Sequence, residues 1–410
     1  MRVFYLTWGE TPRMSGVYKS QIINLLSSFP DSVCVELICG LPIINSGLIR
    51  ERNTFFNMLR QIRDHLSSAN GTLFTIIPIF AFQTVIYPKK WSYFSLTFLS
   101  DFILFLYIKR KKPDILHCRG YHSTNLAIRL RDKYNLNYKV VFDPRGLFPE
   151  ESVISMKCKI KSFGYKKLKQ IESQNIIKSD IVLSVSDTMT EYFYSIGAKN
   201  VKTVYLSSSL SKQHNVNKVN YDNIKFCYAG ALSFNTWHKP DMLLDLFEKL
   251  NTIFPNSTLN ILTNSDHFLI LKLIPQGLSD RVFIKSCSTP EEVLINLSTQ
   301  DIGLMAYSIP KDNIQMKVAS TVFAIKSVEY FVSGLPVIVN KFCGGAKSFI
   351  EKYDLGLSYN PINYSEINRD YIIEMVEKFY NSKDSIPLSL FTYEANIKRL
   401  LDVYYELSLC

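Results

Sequence analysis

Apolar residues along this 410-residue chain recur in two kinds of block. Some are short continuous runs rich in β-branched and aromatic residues, such as RVFYLTW at 2–8. Others space their apolar residues three and four apart, as in VYKSQIINLLSSF at 17–29. The first pattern predicts strands buried on both faces; the second predicts amphipathic helices. The chain opens with strand 2–8, loop 9–16, helix 17–29 and strand DSVCVELICGLPI at 31–43, a βαβ start. Strands follow at DILHCRG (114–120), KVVFDPRG (139–146), DIVLSVS (180–186) and TVYL (203–206), with helical stretches between them. Residues 207–223 are polar and poor in apolar side chains, as a linker is. A second series then begins with strand 224–233, helix 241–254 and strands 258–263 and 281–288. It continues with helix 290–299, strand 301–307 and IKSVEYFVSGLPVIVN at 325–340.

This is an α/β chain with two doubly wound parallel-sheet domains, 1–206 and 224–390, and its length suits two cores. In the closing segment FTYEANIKRLLDVYYELSL, residues Leu400, Leu401, Val403, Tyr404 and Leu407 share one helical face. That face can pack on the second domain, which precedes it. The domain assignment instead returns residues 391–410 toward the first.

Charge changes the picture more than composition does. Residues 1–206 hold 28 Lys+Arg against 15 Asp+Glu, a net +13, whereas residues 207–410 carry −2 of the total +11. Such asymmetry points to a polyanionic partner. Nucleic acid is disfavoured, because no recognised binding motif is present. The tracts at 73–87 and 91–107 are too short, or too interrupted by Pro78 and Asp101, to span a bilayer. The second ends in KRKK (109–112), and the run 157–169 holds six lysines and no acid. Apolar and aromatic residues beside lysines suit peripheral or monotopic attachment to anionic lipid. The alternative is a core strand and a core helix with solvated lysines. The start lacks a secretory pattern, which predicts a cytoplasmic location at the inner membrane face.

Eight scattered cysteines make no CxxC pair, and the six histidines are dispersed. Neither HExxH nor Asp-x-Asp occurs, so no metal and no cofactor are expected. GxGxxG after the first strand, Walker A and GxSxG are also missing, which removes the usual hydride-transfer, nucleotidase and hydrolase anchors. What remains is a set of short segments at strand C-termini, where open α/β sheets bind ligands.

Those segments carry a resemblance. KSVEYFVSGLPVIVN resembles the late signature of retaining glycosyltransferases of family 4. VVFDPRGLFPEE (140–151), DIVLSVSDTMTEYFYSIG (180–197), CYAGALS (227–233) and DIGLMAYS (301–308) are similar to other blocks of that family, in order. The resemblance implies a GT-B fold, two Rossmann-like domains facing a cleft. It also implies sugar transfer from a nucleotide sugar, UDP- or GDP-linked, with retention and without metal. Glu329 would bind the ribose hydroxyls of the donor, because a carboxylate accepts from a vicinal diol. The family's preceding glutamate falls at Thr321, and Ala231 stands where the family has arginine on the diphosphate. The later cation of that pair is His238 or Lys239, with Lys239 preferred and Lys317 as a helper. Lys326 either neutralises Glu329 or reaches the phosphates. Gly230 and Gly16, as glycine turns before helices, would aim N–H groups at phosphate. In the first domain, Asp143 would orient an acceptor hydroxyl and Arg145 would pair with phosphate, or the two form a salt bridge. His122 and Glu150 would contact the acceptor, or are structural.

The expected function is therefore transfer of a sugar to a lipid-linked saccharide in capsule or O-antigen synthesis. Two other readings fit: a sugar-nucleotide epimerase of similar architecture, and a non-catalytic glycosyltransferase-like binding subunit, which Ala231 and Thr321 favour.

Overall fold

The computed structural model describes residues 1–44, 51–82, 97–208, 219–234, 237–382 and 388–409. The chain divides into two compact units. Unit 1 holds Met1–Val185, Met189–Ser207 and Tyr393–Cys410; unit 2 holds Ser186–Thr188 and Ser208–Thr392.

Unit 1 is built on a parallel sheet of β1 (Arg2–Trp8), β2 (Cys34–Ile44), β3 (Leu73–Phe82), β4 (Ile115–Arg119), β5 (Lys139–Asp143), β6 (Ile181–Ser184) and β7 (Val201–Thr203). The strand order is β3-β2-β1-β4-β5-β6-β7. Alternation along β1 sorts its side chains between two cores. Val3 and Tyr5 join Leu37, Val141 and Leu183 on one face; Phe4 and Leu6 join Ile38, Leu116 and Val140 on the other. The closing helix Tyr393–Leu409 lays Leu400, Val403, Tyr404 and Leu407 into the first of these cores, which corrects the expectation that its apolar face packs on the second domain.

Unit 2 repeats the plan with β8 (Lys225–Ala229), β9 (Thr258–Leu262), β10 (Val282–Lys285), β11 (Ile302–Met305), β12 (Val337–Asn340) and β13 (Gly356–Tyr359). Its order is β10-β9-β8-β11-β12-β13, again all parallel. In both sheets the order reverses beside the first strand, and the crevice at the strand C-termini there is the usual ligand site of such folds.

One expected strand needs correction, and the described parts of the two apolar tracts follow the alternative of a strand and a helix of the fold. The strand placed at TVYL (203–206) is β7, Val201–Thr203; its last bond to β6 is Val204 N–H to the Ser184 carbonyl, after which the chain leaves the sheet. Leu73–Phe82 of the tract 73–87 is β3, an end strand, where Pro78 is tolerated because one side needs no N–H donor; residues 83–87 lie outside the described residues. In the tract 91–107, residues 91–96 also lie outside them. The rest belongs to the helix Thr97–Lys111, whose Leu104, Phe105 and Ile108 are core while Leu99, Phe102 and Leu106 face solvent. Asp101, which interrupts that tract, pairs with Arg129 Nη2 at 3.0 Å. Most of the linker 207–223, residues 209–218, is outside the described residues. Among the described residues, no helix is long and apolar enough to cross a membrane.

Candidate functional site

The segment IKSVEYFV forms the helix Ile325–Val332, which buries Val328, Tyr330, Phe331 and Val332. Tyr330 anchors it from the far side. Its hydroxyl donates to the Leu304 carbonyl (3.2 Å) and accepts from the Ala229 N–H (2.9 Å). That tie brings the helix against the end of β8, where Gly230 turns with φ +124°, a conformation that favours glycine. A Cβ on Gly230 would come 3.2 Å from Lys326 Nζ, so glycine also permits this approach.

A cavity of about 460 Å³ opens there, within the ~300–1,000 Å³ typical of small-ligand sites. Ala229 at the end of β8 and Gly230 and Ala231 in the turn after it line it. Leu262, Thr263, Asn264 and Ser265 line it from β9, and Ile325, Lys326 and Glu329 from the helix. The polar loop after β9 is fixed by its own bonds: Asn264 Nδ2 donates to the Cys287 carbonyl and Ser265 Oγ accepts from the Leu232 N–H.

Lys326 is 5% exposed. Its Nζ donates to Tyr228 Oη at 2.5 Å and lies 4.2 Å from the centre of that ring; Tyr228 in turn donates to the Ala231 carbonyl. No carboxylate among the described residues lies within ion-pair distance of Lys326. Burial pulls its pKa down to about 7, against smaller opposing effects of Glu329 and Cys343. Glu329 is half-buried, and burial raises its pKa while Lys326 lowers it.

The remaining unit 2 candidates stand apart from this cavity. His238 is buried behind it, 4.0 Å from the Tyr307 ring centre and 5.6 Å from that of Tyr228. Burial, then Lys326, holds it well below the usual histidine range, so it is neutral. Lys239 is the N-cap residue of the helix Pro240–Ile253 and does not line the cavity. Thr321 turns its hydroxyl back to the Lys317 and Val318 carbonyls of its own helix, Asn313–Thr321. Tyr228 and the loop 263–265 were not singled out from the sequence. The loop was recognisable as the polar residues directly after a strand, but nothing marked Tyr228 apart from core.

Unit 1 has a second cavity, about 330 Å³, at the ends of β1 and β4, where its strand order reverses. Trp8, Glu10, Arg119, Tyr121, His122 and Arg145 are among its lining residues. Asp143 lies beneath it, buried, and accepts from His117 Nε2 (3.2 Å) and pairs with Arg145 Nε (2.8 Å). Burial alone would raise the Asp143 pKa, but Arg145, His117 and Arg119 together hold it well below the usual carboxylate range. Burial keeps His117 neutral, so its Nε2–H donates to the carboxylate and its Nδ1 accepts from Tyr404 Oη of the closing helix at 2.7 Å. Arg145 holds φ +62°, a left-handed conformation that costs a non-glycine residue about 1 kcal/mol or more. Asp143 therefore acts as an anchor for Arg145. Glu150, expected at the acceptor, is fully buried instead and accepts from Lys169 Nζ (3.0 Å) and Tyr165 Oη (3.4 Å). Gly16 opens the helical run at Gly16–Tyr18 with φ +57° and lines neither cavity.

Two Rossmann-like units with these strand orders define the GT-B fold, and the chain has it. Solved structures similar over the whole chain agree. HepE from Anabaena, in complex with UDP, is 13% identical with a TM-score of 0.64, covering 99% of this chain and 100% of its own. Sucrose-phosphate synthase from Thermosynechococcus elongatus is 14% identical with a TM-score of 0.62, covering 99% and 98%. The apo lipopolysaccharide outer core galactosyltransferase WaaB is 16% identical with a TM-score of 0.61, covering 99% and 99%. No protein-family model matches the chain, and no curated protein sequence does.

Proposed function

We propose that the protein is a retaining, metal-independent glycosyltransferase of the family 4 kind. It moves a sugar from a UDP- or GDP-linked donor to a lipid-linked saccharide of a surface polysaccharide. The supporting observation is the unit 2 cavity: a glycine turn, a carboxylate and a buried lysine converge at the end of β8. Glu329 would accept from the ribose hydroxyls. The Gly230 turn and Lys326 would face the diphosphate, a task that the resemblance gives to Lys239. The UDP of the HepE complex favours a uridine donor. In the proposed step the bond from the anomeric carbon to the phosphate oxygen breaks, and the bond to the acceptor oxygen forms on the same face. The acceptor proton passes to the leaving phosphate.

The unit 1 cavity, with Trp8, Tyr121 and His122 beside Arg119 and Arg145, would take the acceptor. Aromatic faces suit sugar rings, and guanidinium groups suit phosphate. The loop 155–162 and Phe163, which opens the helix Phe163–Lys178, expose Met156, Ile160 and Phe163 among Lys157, Lys159 and Lys161. That mixture suits an anionic bilayer surface and supports a lipid-borne acceptor at the inner membrane face. A binding subunit without turnover is the second reading, favoured by Ala231 in the cavity wall. The test is transfer of labelled sugar from UDP- and GDP-sugars to extracted lipid-linked saccharides. Turnover with retained anomeric configuration, undiminished by a chelator, supports the proposal. Donor binding without transfer favours the binding subunit, and donor conversion without any lipid favours an epimerase.

A further inference from the structure

A buried ammonium ordinarily has a carboxylate beside it, because desolvating a lone charge is strongly unfavourable. Lys326 has a phenol instead. Its Nζ donates to Tyr228 Oη and sits over the Tyr228 ring, in the cavity wall and within reach of the Gly230 turn. Tyr228 cannot serve as counter-ion, since burial holds its hydroxyl well above the usual phenol range and so protonated. The other titratable groups facing Lys326 are Glu329 on its own helix, His238 before the helix Pro240–Ile253, and Cys343 in the turn after β12. Burial keeps His238 neutral and pushes the Cys343 thiol up to about 12, so neither supplies a negative charge near neutrality. Glu329 is nearby but outside ion-pair distance.

The missing counter-ion is then a ligand anion. We propose that Lys326 receives the diphosphate of the donor and takes up a proton from solvent as the nucleotide binds, so that the cation is assembled only in the complex. This rests on the nucleotide-sugar reading and deepens it. The position is apt, since Ala231 leaves the β8 turn without a cation of its own. With the free amine titrating at about 7, it is mostly neutral at slightly alkaline pH. A bound diphosphate favours the charged form and drives the uptake.

The test is calorimetric titration of the full-length protein with UDP and with GDP near pH 8, in two buffers of different protonation enthalpy. The phosphates of UDP and GDP are ionised at that pH, and Lys326→Met separates a proton taken up by the protein from one taken up by the nucleotide. Wild type should take up about 0.8 proton per nucleotide bound, and its affinity should fall by about sixfold per pH unit around pH 8. Lys326→Met should bind more weakly, with neither the uptake nor the slope. His238→Gln should keep both. Binding by wild type without proton uptake overturns the proposal, and so does uptake that persists in Lys326→Met or vanishes in His238→Gln. The wild-type result does not depend on any variant folding. Binding of neither UDP nor GDP overturns the nucleotide-sugar reading itself, which separates the two failures.

Discussion

Lys326 and Glu329 lie one helical turn apart, yet they perturb each other less than burial perturbs either. For Lys326 the folded pKa lies below the unfolded value, so the unfolded chain binds more protons between about pH 7 and 10. Stability from this site therefore rises with pH through that window, by at most about 1.4 kcal/mol per unit. Lys326→Met should be more stable than wild type at neutral pH, and the difference should shrink by about 1–2 kcal/mol between pH 7 and 8.5. Urea denaturation at the two pH values checks this; parallel curves would contradict it. Titration of buried thiols and phenols largely cancels in the comparison. Glu329→Gln should weaken UDP binding roughly 10- to 100-fold, the loss of charge-assisted bonds to hydroxyls, with little change in fold. Glu329 could be picked out in the sequence because a lone carboxylate interrupts an apolar segment. Tyr228 could not, because a tyrosine in a buried strand reads as core until its partner is known.

Two short helices carry most of what is specific here, one set by a contact distant in sequence and the other by a local one. For Ile325–Val332 the contact is Tyr330, whose ring packs over Gly303 so closely that a Cβ there would come within 2.8 Å. Tyr330→Phe leaves the Ala229 N–H without its acceptor, which should cost about 1–3 kcal/mol and loosen the Gly230 turn. Thermal unfolding and UDP affinity should both report it; an unchanged variant would show that the turn is held elsewhere. For Phe148–Ile154 the group is Glu151, packed over Gly146 and pushed up to about 7 by burial. Its folded pKa lies above the unfolded one, so its stabilising contribution is lost as pH rises from about 4.5 to 7. Glu151→Gln should flatten that part of the stability profile; an unaltered profile would place the carboxylate in water. The strands themselves were legible as apolar runs. Strand order was not, since it depends on pairings such as Val3 with Ile115, which no local pattern encodes. The two-residue error at β7 has the same origin, because both Val201–Thr203 and TVYL are β-prone and only pairing with β6 chooses.

Across the molecule, the excess positive charge lies in the residues that build unit 1, and the structure divides it between two uses. Lys169 turns inward to Glu150 and Glu172, while Lys157, Lys159 and Lys161 remain exposed among Met156, Ile160 and Phe163. The sequence showed the run of lysines but not which of them face inward. Changing Lys157, Lys159 and Lys161 to glutamate should weaken sedimentation with anionic vesicles by roughly 1 kcal/mol per lysine, and salt should weaken wild-type binding likewise. Equal binding by wild type and variant would remove the lipid surface from this loop. For unit 2 as a whole, the proposed role is binding of a nucleotide sugar in the cavity at the end of β8. Thermal unfolding of wild type and Glu329→Ala against a panel of UDP- and GDP-linked sugars tests it most directly. At one hundred times its dissociation constant, a true donor stabilises the folded protein by about 2.7 kcal/mol. The unfolding temperature of wild type should rise by several degrees with at least one of these sugars, and that of the variant by markedly less. Unfolding curves unmoved by every sugar in the panel would contradict it.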